Sequence, residues 1–159
     1  QLAPGGSDTR SGGRCPPGGR DLDKDVQRSC YSSLSCQGEA LSLASAMDTQ
    51  GQFRLDPQGN PLWCSYLIFY RDPQSGGLIR REQPIPTPVP AGVPIESGLG
   101  VSLVSQLGRG RLLAERVEAF ELAVVGQRLD YRLRFLRPAQ GLQPATPFTL
   151  EGSSQFRNR

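Results

Sequence analysis

Apolar and polar residues along this chain change period twice, and each change marks a different kind of element. From Asp21 to Leu34 the apolar positions Leu22, Val26, Cys30 and Leu34 recur every fourth residue. That spacing predicts an amphipathic helix with one narrow apolar stripe. Asp21, Asp23 and Asp25 crowd its start, where the helix dipole favours negative charge, and Gly38 lies beyond the serines that end it. From Ala40 to Met47 the pattern alternates, as in a strand. Asp48–Gly51 and Asp56–Asn60 read as turns, because proline presets φ and glycine tolerates a positive one. A short extended piece, Gln52–Leu55, lies between them.

Leu62–Arg71 (LWCSYLIFYR) is the most apolar and aromatic stretch and reads as a central strand. Asp72–Gly77 is then a hairpin loop, and Leu78–Gln83 the returning strand. Residues 84–100 carry five prolines, four of them at alternate positions 84, 86, 88 and 90. Because proline lacks the donor a ladder needs, this segment is expected to be an extended surface loop. A short turn or helix is expected at 111–116 and a strand at 117–125, followed by a turn at Gly126-Gln127. Leu129, Tyr131, Leu133 and Phe135 then alternate with Arg128, Asp130, Arg132 and Arg134, giving a half-buried strand with one wet, basic face. A last strand is expected over Phe148–Arg157. The order predicts an α+β fold: one N-terminal helix packed on an antiparallel β-sheet.

Composition refines this picture. Residues 1–20 hold six glycines, three prolines and few apolar side chains, too little to offset ordering entropy. They are expected to form a flexible arm ahead of a single domain over 21–159, and 159 residues suit one domain. No apolar run reaches 18 residues, so no segment of the chain has the make-up of a spanning helix.

Histidine is absent. This removes His-based acid–base chemistry, the usual nucleophile–base pairs and the commonest metal ligand. Glu115, Glu118 and Glu121 read as surface carboxylates and not as a glycosidase pair. Asp21-x-Asp23-x-Asp25 imitates the opening of a calcium loop, but Val26 stands where glycine is required and Ser32 where glutamate is. Neither a catalytic site nor a cofactor or metal site is expected.

Cys15, Cys30, Cys36 and Cys64 contain no C-x-x-C pair, which argues against zinc. An even, scattered set suits disulfides in an extracytoplasmic compartment. Three complete pairings are open, and the short, local Cys30–Cys36 loop is the favoured bridge. The basic residues are 17 arginines and one lysine, with a net charge of +3. Arg128, Arg132 and Arg134, joined by Arg109 and Arg111, could form a stripe for phosphates. Asp130 and Glu121 interrupt it.

Several ordered segments resemble the minor subunits of type IV filaments, namely prepilin-like minor pilins of the W type and minor pseudopilins of the J type. Asp21-Leu-Asp-Lys-Asp-Val-Gln-Arg28 is similar to the end of their long N-terminal helix. Trp63–Tyr70 with Gly77-Leu-Ile-Arg-Arg-Glu82 resembles their central hairpin. Leu112–Phe120 and the tail from Phe148 to Asn158 resemble two later segments. The resemblance implies a non-catalytic, extracytoplasmic head of a type IV pilus or type II secretion filament that acts by packing against other pilin or pseudopilin subunits. It also implies a cleavage site and about twenty apolar residues upstream of Gln1, through which alone the protein would meet the membrane. Some relatives take part in DNA uptake, and the alternative reading is an extracytoplasmic DNA-binding or adhesion module that uses the arginine-lined strand.

Overall fold

A computed structural model describes residues 17–137 and 139–158. Helix α1 spans Pro17–Gln27 and is followed by strands β1 (Ser35–Gln37), β2 (Ala40–Ser45), β3 (Trp63–Arg71) and β4 (Leu78–Val89). A short helix α2 (Ile95–Leu99) precedes β5 (Arg111–Ala114), β6 (Val117–Val125), β7 (Arg128–Arg137) and β8 (Thr146–Gln155). The strands form two antiparallel sheets, β1-β2-β3-β4-β5 and β6-β7-β8. With 51% strand against 14% helix, the molecule is mostly β. The expected α+β arrangement of one helix on one sheet is therefore overturned. A helical stripe and a strand are both visible locally, but whether strands join into one sheet or two depends on pairing between distant segments.

The centre of the first sheet, β2 and β3, is buried on both faces. Leu41, Leu43, Leu67, Phe69 and Leu78 pack with Phe120, Leu129, Tyr131 and Leu133 of the second sheet and with Leu22 and Val26 of α1. On its other face Ala40, Ala44, Tyr66, Ile68 and Tyr70 pack with Ile95 and Leu103. Burial of this kind is the dominant favourable term in the fold. It also explains why β2 is a nearly continuous buried run and not a half-exposed strand.

Three local expectations change. The helix begins four residues before Asp21 and ends at Gln27, so residues 17–20 belong to it; the rest of the expected arm lies outside the described residues. Asp21 and Asp23 thus lie in its middle and Asp25 in its last turn, and no acidic residue lies in its first turn. Its end is set by Ser29 and Ser33. The Ser29 hydroxyl donates to the Ala44 carbonyl at 2.6 Å, and Ala44 N–H donates to Ser33 Oγ at 2.9 Å. Serines compete with helical hydrogen bonds in this way. Here they also close the edge of β2 beyond the three residues of β1.

The proline segment is the second change. β4 continues through Pro84, Pro86 and Pro88 to Val89, so residues 84–89 are strand and not surface loop. Pro84 lies opposite Ser65 and Val89 opposite Trp63, and the register shift between them leaves Pro86 and Pro88 in an irregular stretch with no ladder partner, where a missing donor is tolerated. Residues beyond the strand also cover a core face. Tyr66 Oη donates to the Val93 carbonyl at 2.7 Å, and Ile95 and Leu103 are fully buried. Gly98 lies so close to the Tyr66 ring that a side chain there would clash. The third change is at 111–114, which pairs with β4 as a strand and is not a turn or helix.

Candidate functional site

The three aspartates of α1 each reach a different part of the head. Asp21 meets Arg111 of β5 at 3.7 Å, and Asp25 meets Arg80 of β4 at 2.9 Å. Asp23 turns to the other sheet, where it accepts from Tyr131 Oη of β7 at 2.9 Å and from the Ser154 hydroxyl of β8. Burial pushes the Asp23 and Asp25 carboxyls above the usual range. The donors Ser154 and Tyr131, and for Asp25 the Arg80 guanidinium, hold them partly back. One helix is thereby joined to both sheets by its polar side as well as by Leu22 and Val26. Tyr131 can lie in this joint because Gly152 lies across from it on β8 and Gly19 on α1. A Cβ at either glycine would meet its side chain.

The outer face of the second sheet carries the predicted arginines. Cross-strand register places Ala119, Glu121, Ala123 and Val125 of β6 opposite Arg134, Arg132, Asp130 and Arg128 of β7. Thr149, Glu151, Ser153 and Gln155 of β8 flank the same four from the other side. Arg132 lies between Glu121 at 3.5 Å and Glu151 at 3.0 Å. Arg128 forks onto Asp130 at 2.9 and 3.1 Å, and Ser153 adds a third bond to that carboxylate at 2.7 Å. These bonds hold the Asp130 carboxyl below the ordinary range. The Glu121–Arg132–Glu151 row separates two shallow grooves of about 720 and 310 Å³. The face is therefore a checkerboard of three arginines and three carboxylates, not a basic stripe.

Arg109 and Arg111 do not join it. Arg111 opens β5 at an edge of the first sheet and pairs with Asp21, and Arg109 lies in the loop two residues before it. The predicted five-arginine set is thus split between two sheets, since strand alternation aligns residues within β7 but says nothing about where β5 pairs.

The expected Cys30–Cys36 bridge is absent: Cys30, Cys36 and Cys64 are free thiols. Cys30 is buried beside Gly92, whereas Cys36 is exposed on β1. The Cys64 thiol donates to the Met47 carbonyl at 3.2 Å. Cys15 lies outside the described residues.

Sequence reasoning missed a second joint between the sheets. Glu39, in the β1–β2 turn, accepts from Phe120 N–H at 2.9 Å. Arg71, at the end of β3, donates to the Val117 carbonyl at 2.6 Å and pairs with Glu39 at 3.4 Å. Two charged residues 32 positions apart, each next to a turn, carry no local signal of such a contact. No family model, curated protein or solved structure matches this chain.

Proposed function

We propose that this chain is the extracytoplasmic head of a minor subunit of a type IV pilus or type II secretion filament, a non-catalytic part that works by packing against neighbouring subunits. The observation that carries this reading is the grip on α1. Asp21, Asp23 and Asp25 tie one N-terminal helix to β5, β7, β8 and β4. A load along that helix reaches both sheets at once, which is what a head carried on a filament helix requires. Two of the segments that resemble the family, Trp63–Tyr70 and Gly77–Glu82, supply the central β3–β4 pairing. The buried serines 29 and 33 are engaged in structural bonds to the backbone, in keeping with a non-catalytic role. The alternative partner, DNA, draws less support, because Arg128 and Arg132 already face carboxylates.

The test is the coding sequence upstream of the Gln1 codon, together with the complete gene product in its native cell. A prepilin cleavage site followed by about twenty apolar residues is expected. So is cross-linking of the full-length protein to other filament subunits. An upstream region without such a segment, or a full-length product that never cross-links to a filament subunit, overturns the proposal.

A further inference from the structure

β6 forms one edge of its sheet, with β7 on the other side. Side chains close the first part of that edge: Arg71 at the Val117 carbonyl and Glu39 at Phe120 N–H. By strand alternation the N–H and C=O groups of Leu122 and Val124 then also point outward. Among the described residues no strand or side chain is hydrogen-bonded to them.

The other edges are guarded. β1 has three residues and β5 four, and Ser29 and Ser33 close β2 beyond β1. The overhang of β4 carries alternate prolines, and β8 carries Pro147 and a polar row through Thr149, Glu151 and Ser153. Short strands, prolines and charges are the usual devices against edge pairing. The Leu122-Ala-Val-Val125 stretch has none of them, and Val124 and Val125 are 42% and 51% exposed.

We propose that this edge is a dimerisation site, in which Glu121–Val125 pairs antiparallel with the same segment of a second copy about a twofold axis at Ala123. In that register Leu122 and Val124 of opposite copies exchange backbone hydrogen bonds twice, and Ala123 faces Ala123 as the close, non-hydrogen-bonded pair. The segment is complementary to itself. Glu121 comes opposite Val125, so no carboxylate meets a carboxylate. Leu122 and Val124 meet on the side that continues the core, where Leu122 already packs. Both ends are limited, by Glu39 on Phe120 N–H and by the turn at Gly126, whose φ is +60°. The result is one continuous six-stranded sheet, and this inference does not rest on the filament reading.

The test is the mass of the purified chain in solution across a dilution series, with two variants. A concentration-dependent doubling of mass is expected. Val124→Lys, checked for folding by circular dichroism, is expected to weaken association by about tenfold or more. Ala123→Cys is expected to give a 123–123 disulfide dimer on oxidation, because facing non-hydrogen-bonded residues lie about 4.5 Å apart, within disulfide reach. Gly141→Cys, at the β7–β8 turn, is the control that does not cross-link. A single-copy mass throughout with no 123–123 link, a dimer indifferent to Val124→Lys, or a monomer that captures another protein's strand at β6 each overturns the proposal.

Discussion

The Tyr131 hydroxyl, from the middle of β7, donates to Asp23 Oδ1 of α1 at 2.9 Å, in a joint where the Ser154 hydroxyl meets the same oxygen. A carboxylate held by two neutral hydroxyls is stabilised less than it is penalised by burial, and its pKa is raised accordingly. The joint therefore favours a protonated or neutral group at 23 while still requiring an acceptor there.

Asp23→Asn keeps an acceptor oxygen and removes the charge. The folded pKa of Asp23 lies above its unfolded value, so the stability it contributes is complete below the unfolded pKa and is lost as pH rises through the folded pKa. Urea unfolding from about pH 7 down to about pH 4 is expected to show the wild-type chain gaining on Asp23→Asn as pH falls. Asp25, raised, and Asp56 and Asp130, lowered, titrate in both proteins and cancel in the difference. A difference that shrinks towards low pH would contradict the assignment.

Asp23→Ala removes the acceptor of the Ser154 hydroxyl, while Tyr131 Oη keeps the Gly19 carbonyl at 3.4 Å. The expected loss is about 1–3 kcal/mol, the range for an orphaned buried polar group. Tyr131→Phe removes one donor only and is expected to cost about 1 kcal/mol. Chemical denaturation with unchanged m-values distinguishes the two.

Gly152→Ala places a Cβ against the Tyr131 ring. Overpacking of this kind typically costs about 1–3 kcal/mol. The thermal midpoint of Gly152→Ala is expected to fall, and that of Gly126→Asn at the β6–β7 turn to change little, because asparagine accepts positive φ.

Arg71→Ala strands the Val117 carbonyl and removes the Arg71–Glu39 pair, leaving the Phe120 N–H to Glu39 bond as what remains of this joint. A loss of about 1–3 kcal/mol in unfolding free energy is expected. Arg132→Ala, on a half-exposed ion-pair row, is expected to cost no more than about 1 kcal/mol. Any retention on duplex DNA at low salt is expected to be unchanged by Arg132→Ala; a drop with a shallower salt dependence would instead favour the phosphate-binding alternative.

Alkylation of the native protein followed by peptide mapping is expected to label exposed Cys36 before buried Cys30. It should find no Cys30–Cys36 cross-link under non-reducing conditions. Recovery of that linked peptide would place the β1 edge differently.

Much of the local structure was legible along the chain. Strict alternation over 128–135 marks most of β7, the β3–β4 hairpin follows from an apolar run, a D-P turn and a return strand, and the buried face of α1 from Leu22 and Val26. The prolines at 84–88 misled, because a missing donor harms a strand only if a neighbour lies on that side. The aspartates misled too: acidic residues near a helix start suit the dipole, and nothing local reveals that the helix begins earlier and that they face two sheets. The pairing of Arg132 with Glu121 and Glu151 was only half visible, since which β8 residue lies opposite Arg132 depends on pairing between distant segments.

The sequence by itself determined part of the inventory: strands at β2, β3, β6 and β7, most of the turns between them, and that no histidine is available for chemistry. These depend on side-chain period and backbone preference, which act over a few residues. Only the tertiary structure decided that the strands divide into two sheets, that α1 bridges them through three carboxylates, that Glu39 and Arg71 close one stretch of β6, and that among the described residues nothing pairs with the outward backbone groups of Leu122 and Val124. Those outcomes depend on which distant backbone groups find partners, and a local pattern carries no information about contacts that the folded chain alone brings together.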